Sequence, residues 1–412
     1  EMWNLNNTGQ SGGVEDADID APEAWDISTG GTTALGDEIV VAVVDAGVSY
    51  SHVDLADNIW ENIHEIPNNG IDDDENGYID DIIGWNAYGD NGNVQSSNHG
   101  THVAGTIGAR GNNSEDVTGI NWDVKLMCIA GSTSQTSVAS IAYGYVLDQK
   151  TLWIESNGEY GANVVATNSS FGIDYADCNS GNYPIWNDLY DAMGEVGILS
   201  AAATINSNQN VDEIGDVPTG CSSDYIIAVT NTTDDDVKYP SAGYGLETID
   251  IGAPGTHICS TYPGNNVSCS NTGTSMATPH VAGTVALMHA AASAPWAEQY
   301  ISNPGLKSLE LKEMILSNVD IITSLENITV SGGRLNLNNA VTEISEFDNN
   351  YNSGDVNMDG EINVLDIVTI SNHIVNGAEL TEAEFNLADM DGNGEINVID
   401  IVNVINIILG IN

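Results

Sequence analysis

The sequence predicts an α/β domain, with a mostly parallel sheet and helices on both faces, followed by a small all-α domain. Two observations support this prediction. Short apolar runs alternate with helix-like patterns through residues 1–342, as in parallel sheets whose strands are joined by helices. Further on, an acidic twelve-residue segment occurs at 355–366 and again at 389–400, and each copy precedes an apolar helical segment.

The predicted strands are near-continuous apolar runs, which are typical of strands buried on both faces. They lie at residues 39–44, 124–129, 163–167, 198–203 and 226–229. Helix-like patterns lie at 137–148, 183–196 and 279–292. Functional loops are expected beyond the carboxyl ends of such strands.

Composition changes near residues 343–353, a polar stretch typical of a linker. We therefore expect the large domain over residues 1–345, a linker over 346–353, and the small domain over 354–412.

The charge balance is extreme: 60 Asp and Glu against 7 Lys and Arg give a net charge of −53. Such a surface repels phosphates and anionic lipid, so nucleic acid and membrane partners are not expected. No apolar run is long enough to span a membrane, and no signal peptide opens the sequence. Carboxylate-rich loops suit calcium, although a solvated acidic surface would explain much of the same excess.

Five cysteines allow at most two disulfides. Cys259 and Cys269 bracket a turn-rich segment that a short hairpin staple could close, and Cys178 and Cys221 lie in loop-like contexts and could pair. Cys128 lies in an apolar run and is interpreted as a buried, inert thiol. Connectivity is not fixed by sequence, but disulfides would indicate an extracellular compartment.

Three segments carry residue types suited to nucleophilic catalysis. VAVVDAG (41–47) places Asp45 at a strand end, NHGTHVAG (98–105) places His99 at a helix start, and GTSMATPHVAG (273–283) places Ser275 at another. A serine hydroxyl needs an imidazole to take its proton, and the imidazole needs a carboxylate to fix its tautomer. Taken singly, each residue could equally close a strand, fill a turn or cap a helix.

Together, these motifs and their Asp–His–Ser order resemble the subtilase (subtilisin-like serine protease) family, from about Trp3 to Val341. The resemblance implies that Asn206, in GILSAAATINS (197–207), donates to the oxyanion, with Asn168 as the rival. Family members commonly have glycine before this asparagine, where this chain has Ile205.

In the family, the segment NSSFG (168–172) lines the substrate cleft, so Ser170 and Gly172 are expected to pair with an extended peptide. Ile205 is expected to narrow the pocket for the residue before the cleaved bond, unless its side chain points into the core. Of the competing histidines, His102 and His280 are interpreted as structural, and His52 as a weaker candidate than His99.

Calcium ligands are predicted in the loop DDDENGYIDD (72–81), which has oxygen ligands at loop positions 1, 3, 5 and 9 and glycine at position 6. The loop lacks an acid at position 12, and Asp81 could supply the missing carboxylate. The alternative is a solvated acidic loop. The expected ligands are Asp72, Asp74, Asn76, Tyr78, Asp80 and Asp81.

A second calcium site follows from the resemblance alone, because GNNSEDVTG (111–119) comes after the catalytic helix as the calcium loop of subtilases does. A plain surface turn is the alternative. The ligands would be Asp54, Gly111, Asn113, Glu115 and Val117.

The repeats DVNMDGEINVLD (355–366) and DMDGNGEINVID (389–400) have oxygen ligands at positions 1, 3, 5, 7, 9 and 12. Aspartate at position 12 in paired loop-and-helix repeats resembles a dockerin, a module that binds cohesins. Positions 10 and 11 are apolar here, which favours a more apolar partner surface, and a calcium-folded appendage without a partner is the alternative. The expected ligands are Asp355, Asn357, Asp359, Glu361, Asn363 and Asp366 in the first copy, and Asp389, Asp391, Asn393, Glu395, Asn397 and Asp400 in the second.

These inferences predict a secreted, calcium-dependent serine endopeptidase that cleaves protein or peptide substrates and carries a docking module. The competing hypothesis is a non-catalytic scaffold subunit that acts through the dockerin-like domain.

Overall fold

The computed structural model describes residues 2–10, 12–347, 353–378, 380–390 and 392–411. It divides into two compact units, Glu1–Glu346 and Phe347–Asn412. Of the expected linker, residues 348–352 lie outside the described part. The predicted fold classes are confirmed: the first unit is α/β with a mostly parallel sheet, and the second is helical.

Nine strands of the first unit form one sheet in the order β12-β13-β9-β8-β6-β4-β1-β3-β2, and two short antiparallel pairs, β10-β11 and β5-β7, lie apart from it. Neighbours in the large sheet are parallel, except that β12 runs antiparallel to β13. The strands are β1 (Val40–Asp45), β2 (Gly84–Asn86), β3 (Lys125–Ala130), β4 (Val164–Ser169), β5 (Ile173–Asp174), β6 (Leu199–Ala203), β7 (Asp216–Val217), β8 (Ile226–Thr232), β9 (Ile251–Pro254), β10 (Ile258–Tyr262), β11 (Asn266–Asn271), β12 (Asp320–Ile321) and β13 (Gly333–Arg334).

The helices of the first unit connect and cover these strands, and none in the described residues has the length and hydropathy needed to cross a membrane. They are α1 (Ala21–Trp25), α2 (Asn98–Gly108), α3 (Thr136–Glu155), α4 (Pro184–Glu195), α5 (Val211–Ile214), α6 (Thr274–Ala291), α7 (Ala294–Ser302), α8 (Pro304–Ser317) and α9 (Leu337–Ser345).

The central strands are buried on both faces, which explains why their sequences are mostly apolar rather than alternating, with the polar residues of β1 and β4 at their carboxyl ends. Val40, Ala42 and Val44 of β1 belong to a core that includes Tyr143 of α3 and Trp186 of α4. The alternate residues of the strand point to the opposite face, where α2 and α6 pack.

Helix α6 begins at Thr274, before the helix-like pattern at 279–292, and it includes Pro279 as well as Ser275, which the sequence places at a helix start. A proline has no N–H, so Pro279 cannot bond to the carbonyl of Ser275 one turn earlier. The hydroxyl of Ser170 donates to that carbonyl oxygen instead, at 2.9 Å. A helix start that contains proline is therefore tolerated at this position.

The parallel register brings three strand ends to one edge of the sheet. Val44 lies opposite Ser169, and Ser169 lies opposite Ala202. The residues that follow β1, β4 and β6 therefore begin side by side at this edge, and α2 and α6 start near it.

The expectation of two disulfides is confirmed. Cys178 pairs with Cys221, and Cys259 pairs with Cys269 across the β10-β11 hairpin. Cys128 is buried and free, and burial raises the pKa of its thiol to about 12. A thiol held neutral in this way is a poor nucleophile, in line with the inert role expected for it.

The second unit contains α10 (Val364–Asn376), α11 (Glu382–Ala388) and α12 (Val398–Ile408). Its small core consists of Val356, Ile370, Ala388 and Val404. Each of α10, α11 and α12 begins with a capping box, in which the acidic side chain of the third residue accepts from the cap backbone N–H.

Candidate active site

Asp45 ends β1, and its carboxylate faces the first turn of α2. Its Oδ2 lies 2.7 Å from Nδ1 of His99, and its Oδ1 accepts from the backbone N–H of Ala46 at 2.7 Å. The residue is buried, with 1% of its surface exposed. A carboxylate held from both sides in this way can fix the tautomer and orientation of the imidazole.

His99 is the second residue of α2, and its side chain is 41% exposed toward solvent. Burial of the ring lowers the pKa of His99, but the hydrogen bond and the charge of Asp45 raise it, and the net shift is upward. The helix approaches closely because Gly100 has no side chain: a Cβ there would lie 2.1 Å from the carbonyl oxygen of Gly47. The local glycines therefore set the distance between His99 and Asp45.

Ser275 is the second residue of α6, where the partial positive charge of a helix N-terminus favours a developing negative charge. Its hydroxyl donates to the carbonyl oxygen of Ser170 at 3.2 Å rather than to His99. Catalytic hydrogen bonds are often loose or misaligned in ligand-free proteins, and a rotation about one side-chain bond redirects the hydroxyl.

Asn206 follows β6, is exposed, and is oriented by α6. Its Oδ1 accepts from the backbone N–H of Thr274 at 3.0 Å, which directs the amide nitrogen away from that contact. The rival Asn168 is fully buried, and its Nδ2 donates to Ser170 Oγ at 2.9 Å. Of the two amides, the exposed one of Asn206 is the better positioned to donate to a substrate.

Ser170 and Gly172 line a cleft beside Ser275 with a volume of about 190 Å³. Ile205 contributes to the same wall, but its side chain is only 3% exposed and packs with Val211, Ala228 and Ile249. Ile205 therefore lies between the cleft and this apolar cluster, and its effect on the width of the pocket stays a prediction.

The competing histidines are held by structural hydrogen bonds. His102 donates from Nε2 to Ile258 O, and His280 donates from Nδ1 to Met276 O and accepts from Asn4 Nδ2. Burial lowers the pKa of both rings to about 4. His52 donates to Asn266 O and accepts from the N–H of Asp54. None of the three has the carboxylate partner that His99 has among the described residues.

The acidic loop at 72–81 folds around its own carboxylates. Asp72 accepts from the N–H groups of Asn76 and Gly77, and the side-chain oxygen of Asn76 accepts from the N–H of Tyr78. Asp81 is fully buried, and its carboxylate accepts from Asn62, Asn76, Tyr145 and Gln149.

Two carboxylates at this loop, those of Asp80 and Glu65, have surroundings that the sequence pattern does not predict. The oxygens of Asp80 accept from the N–H groups of Asn69 and Gly70, so the carboxylate is turned toward that earlier turn. The structure instead brings Glu65 within 4.8 Å of Asp72 and Asp74. Glu65 was missed because it lies before the loop pattern; its burial beside the loop is visible only in three dimensions.

At the second predicted calcium site, the side chain of Asn113 donates to Oδ1 of Asp54 at 2.6 Å. The other carboxylate oxygen of Asp54 is buried and has no hydrogen-bond partner within the described part of the chain. A buried carboxylate oxygen without a hydrogen-bond partner fits a hard cation such as calcium. Gly111, Glu115 and Val117 belong to the turn that carries Asn113, and the oxygen of Asn113 accepts from Glu115 N–H at 3.0 Å.

Both repeats of the second unit form the same loop. Asp355 accepts from the N–H groups of Asp359 and Gly360, as Asp389 does from those of Asn393 and Gly394. The two loop glycines have φ of 86° and 81°, the left-handed conformation that glycine favours.

The last aspartate of each loop ties it to the following helix. Asp366 accepts from the N–H groups of Val356, Asn357 and Asn363, and Asp400 accepts from those of Met390 and Asn397. The backbones of Glu361 and Glu395 contribute carbonyls that accept from Asn363 and Asn397. Asp391 lies outside the described residues. The loops thus carry carboxylate, side-chain amide and backbone carbonyl oxygens, which are the ligand types that calcium binds in loops of this length.

An acid, a histidine and a serine at one edge of a parallel α/β sheet are an arrangement found in serine hydrolases. The chain belongs to the subtilase family, whose model matches residues 36–358, and a type I dockerin domain matches residues 353–409.

Three characterised proteins illustrate this similarity. Subtilisin-like protease 1 of Plasmodium falciparum is 30% identical over 321 residues, or 73% of this chain and 43% of that protein. Thermitase of Thermoactinomyces vulgaris is 30% identical over 277 residues, or 66% of this chain and 79% of that protein. A solved protease from Pseudoalteromonas arctica has the same fold, with 23% identity and a TM-score of 0.55 over 84% of this chain and 97% of that one. The chain thus spans less than half the length of the Plasmodium relative.

Proposed function

We propose that this chain is a serine endopeptidase with Ser275 as nucleophile, His99 as general base and acid, and Asp45 as the group that orients His99. The observation that carries the proposal is the 2.7 Å contact between Asp45 Oδ2 and His99 Nδ1, at the sheet edge where α6 presents Ser275. Membership of the subtilase family supports the same assignment.

In the proposed reaction, Ser275 Oγ attacks the scissile carbonyl carbon while His99 Nε2 takes the hydroxyl proton. The carbonyl oxygen becomes an oxyanion, which the Asn206 amide and the N–H groups at the start of α6 stabilise. The C–N bond then breaks, His99 gives its proton to the leaving amine, and an acyl-enzyme remains. Water, deprotonated by His99, hydrolyses this ester and restores Ser275.

The substrate is proposed to be an extended stretch of polypeptide. The segment from Ser170 to Gly172 follows β4 beside the nucleophile, where a peptide could add to it as a strand. Pairing with the backbone of an extended segment needs no chain end in the cleft, and this supports cleavage within a chain.

Calcium is the proposed ion of both units. Asp54, Asn113 and the carbonyls of Gly111, Glu115 and Val117 would hold one ion, and the cluster that includes Glu65, Asp72 and Asp74 would hold another. The two loops of the dockerin domain would hold one each. Bound there, the ion neutralises carboxylates that otherwise repel one another, which stabilises the loops.

The dockerin domain is proposed to dock a cohesin-like or other protein partner, and the protein is proposed to act outside the cell. Val364, Leu365, Val398 and Ile399, at positions 10 and 11 of the two loops, are 55–64% exposed. Exposed apolar side chains at matching positions of two repeats support an apolar contact surface. Two disulfides support an oxidising environment.

The test is casein hydrolysis by Ser275→Ala, compared with Ser270→Ala, a change at an exposed serine on β11. We expect Ser275→Ala to lower turnover by about 10⁶-fold, the size found when such a nucleophile is removed, and Ser270→Ala to leave it unchanged. Melting curves of both variants should overlay that of the parent. If the parent hydrolyses no peptide, or if Ser275→Ala retains near-normal turnover, the proposal fails and the scaffold hypothesis replaces it.

A further inference from the structure

The cleft beside Ser275 has two acidic residues in its lining. Asp174 and Asp216 line it together with Ser170, Gly172 and Asn206, although none of the catalytic steps above needs either carboxylate. The two aspartates face each other across the antiparallel β5-β7 pair.

Asp216 is buried, with 1% of its surface exposed, and its two oxygens have different surroundings. Oδ2 accepts from Thr204 Oγ1 at 3.1 Å, from Ile205 N at 2.9 Å and from Thr219 Oγ1 at 2.7 Å. Oδ1 has no protein donor in the part of the chain that the structure describes, and it lies 3.6 Å from the point where a Cβ on Gly172 would stand. This oxygen is therefore directed toward the wall of the cleft that Gly172 forms.

No cation of the chain neutralises these two carboxylates. The sequence has only seven Lys and Arg residues, and all seven lie in described segments. Each has its polar contacts elsewhere: Arg110 with Asp123, Lys125 with Asp57 O, Lys150 with Asn163 and Tyr300, Lys238 with Asn208, Lys307 with Glu310, Lys312 with Asp250, and Arg334 with Asp236 and Asp320. A charged oxygen in a cleft without its own counter-ion is suited to a cation supplied by a ligand.

We propose that this pocket selects a lysine or arginine side chain in the residue before the cleaved bond, with Asp216 Oδ1 as its partner in the pocket and Asp174 at the mouth. This inference rests on the proposed peptidase function and adds its substrate class. The walls favour a long, thin side chain: Gly172 and Ala203 leave room for an aliphatic stem, and the donors of a basic head group would satisfy the oxygen that lacks a donor.

A purely structural role for Asp216 makes a different prediction. Its Oδ2 fixes the N–H of Ile205, the residue before Asn206, so losing it would disturb oxyanion stabilisation. That disturbance would slow cleavage of every substrate by the same factor. The ratio of kcat/KM between two substrates separates the two roles, because only selection of a basic side chain changes the ratio.

The experiment uses the full chain with calcium and five fluorogenic peptides that differ only before the cut: Arg, Lys, Met, Phe and Glu. Active sites are counted with a fluorophosphonate. We expect kcat/KM for Arg and Lys to exceed that for Met and Phe by about 10²-fold or more, with Glu the poorest. Asp216→Asn, which keeps an oxygen for the three donors, should lower the Arg-to-Met ratio by about 30-fold or more, mainly through KM.

Asp174→Asn is a second variant at an exposed position, where solvent screens the charge, and should lower the Arg-to-Met ratio by about 3-fold. Asp188→Asn, at an exposed site on α4, is the matched control and should leave the ratio unchanged. If the parent enzyme is labelled and active but prefers Met or Phe, this inference fails while the proposed peptidase function stands. An unchanged Arg-to-Met ratio in Asp216→Asn has the same consequence. A parent that neither hydrolyses any peptide nor is labelled overturns the proposed peptidase function and this inference with it.

Discussion

Asn206 gives the sharpest quantitative prediction for the proposed mechanism. Its side-chain oxygen is held by Thr274 N–H at 3.0 Å, so the amide nitrogen is the part free to meet an oxyanion. Replacing it with alanine removes one donor that acts only when the oxyanion forms. Loss of one such donor in subtilisin lowers kcat by about 10²–10³-fold, or about 2.7–4 kcal/mol, and we expect the same range here.

The assay is steady-state hydrolysis of one peptide substrate by Asn206→Ala, with KM and kcat measured separately. KM should stay near the parent value, because the ground-state carbonyl makes little use of the donor. Stability should fall by no more than about 1 kcal/mol, since Asn206 is exposed and loses one hydrogen bond.

The matched control is Asn208→Ala, two residues further along the same loop, where the side-chain oxygen accepts from Lys238 Nζ. It should leave kcat unchanged. A fall in kcat of less than about 5-fold in Asn206→Ala would refute the reasoning, since it lies far below the loss expected for an oxyanion donor. So would a rise in KM that accounts for the whole effect.

Three further predictions follow from the charges. The net shift of the His99 pKa is upward from 6.5, and His99 must be neutral to act as the base. We therefore expect kcat/KM to rise as the pH increases through this raised pKa and to be lost at lower pH. Asp45→Asn should lower the pH at the midpoint of this profile and should lower kcat/KM at high pH by about 10⁴-fold. Burial raises the pKa of Asp216 to about 6, and Asp174 is the charged group that faces it. The ratio of kcat/KM for Arg to that for Met should therefore fall as the pH drops through this value, because a protonated Asp216 no longer attracts a basic side chain. Ionisation of His99 affects both substrates equally and cancels in the ratio. A chelator should lower the melting temperature by several degrees, because removing the ion leaves the buried Oδ2 of Asp54 unsatisfied, at a cost of about 1–3 kcal/mol. The decrease should be smaller in Asp54→Asn. Equal melting curves with and without chelator would contradict this prediction.

The sequence predicts the fold class because strands buried on both faces are mostly apolar: β1 and β4 each begin with an apolar run, and β6 consists of Leu, Ser and Ala. The segments that hold Asp45, His99 and Ser275 can also be found from the sequence, because the glycines and helix starts that position these residues are their neighbours along the chain. The helix-like pattern at 279–292 begins later than α6 does, because Pro279 is usually a helix boundary and the hydroxyl of Ser170 that compensates for it is about a hundred residues away.

The features that the sequence does not predict depend on the direction of side chains or on contacts between distant segments. Ile205 follows a strand whose alternation no longer holds at its end, so the sequence does not fix whether it faces the cleft or the core. Glu65 joins the acidic loop from outside the loop pattern. Asp216 lies in the segment GDVP (215–218), which carries no motif, and its place beside Ser275 is visible only once β5 and β7 pair.

Covalent labelling shows whether His99 and Asp45 activate Ser275 for attack on peptide carbonyls. The native chain in calcium is treated with a serine-directed fluorophosphonate, digested, and analysed by mass spectrometry. We expect one adduct, on Ser275, that forms with the pH dependence of His99 ionisation and is absent from the His99→Ala variant. An adduct on another serine, or no adduct on a folded protein that hydrolyses casein, would contradict it.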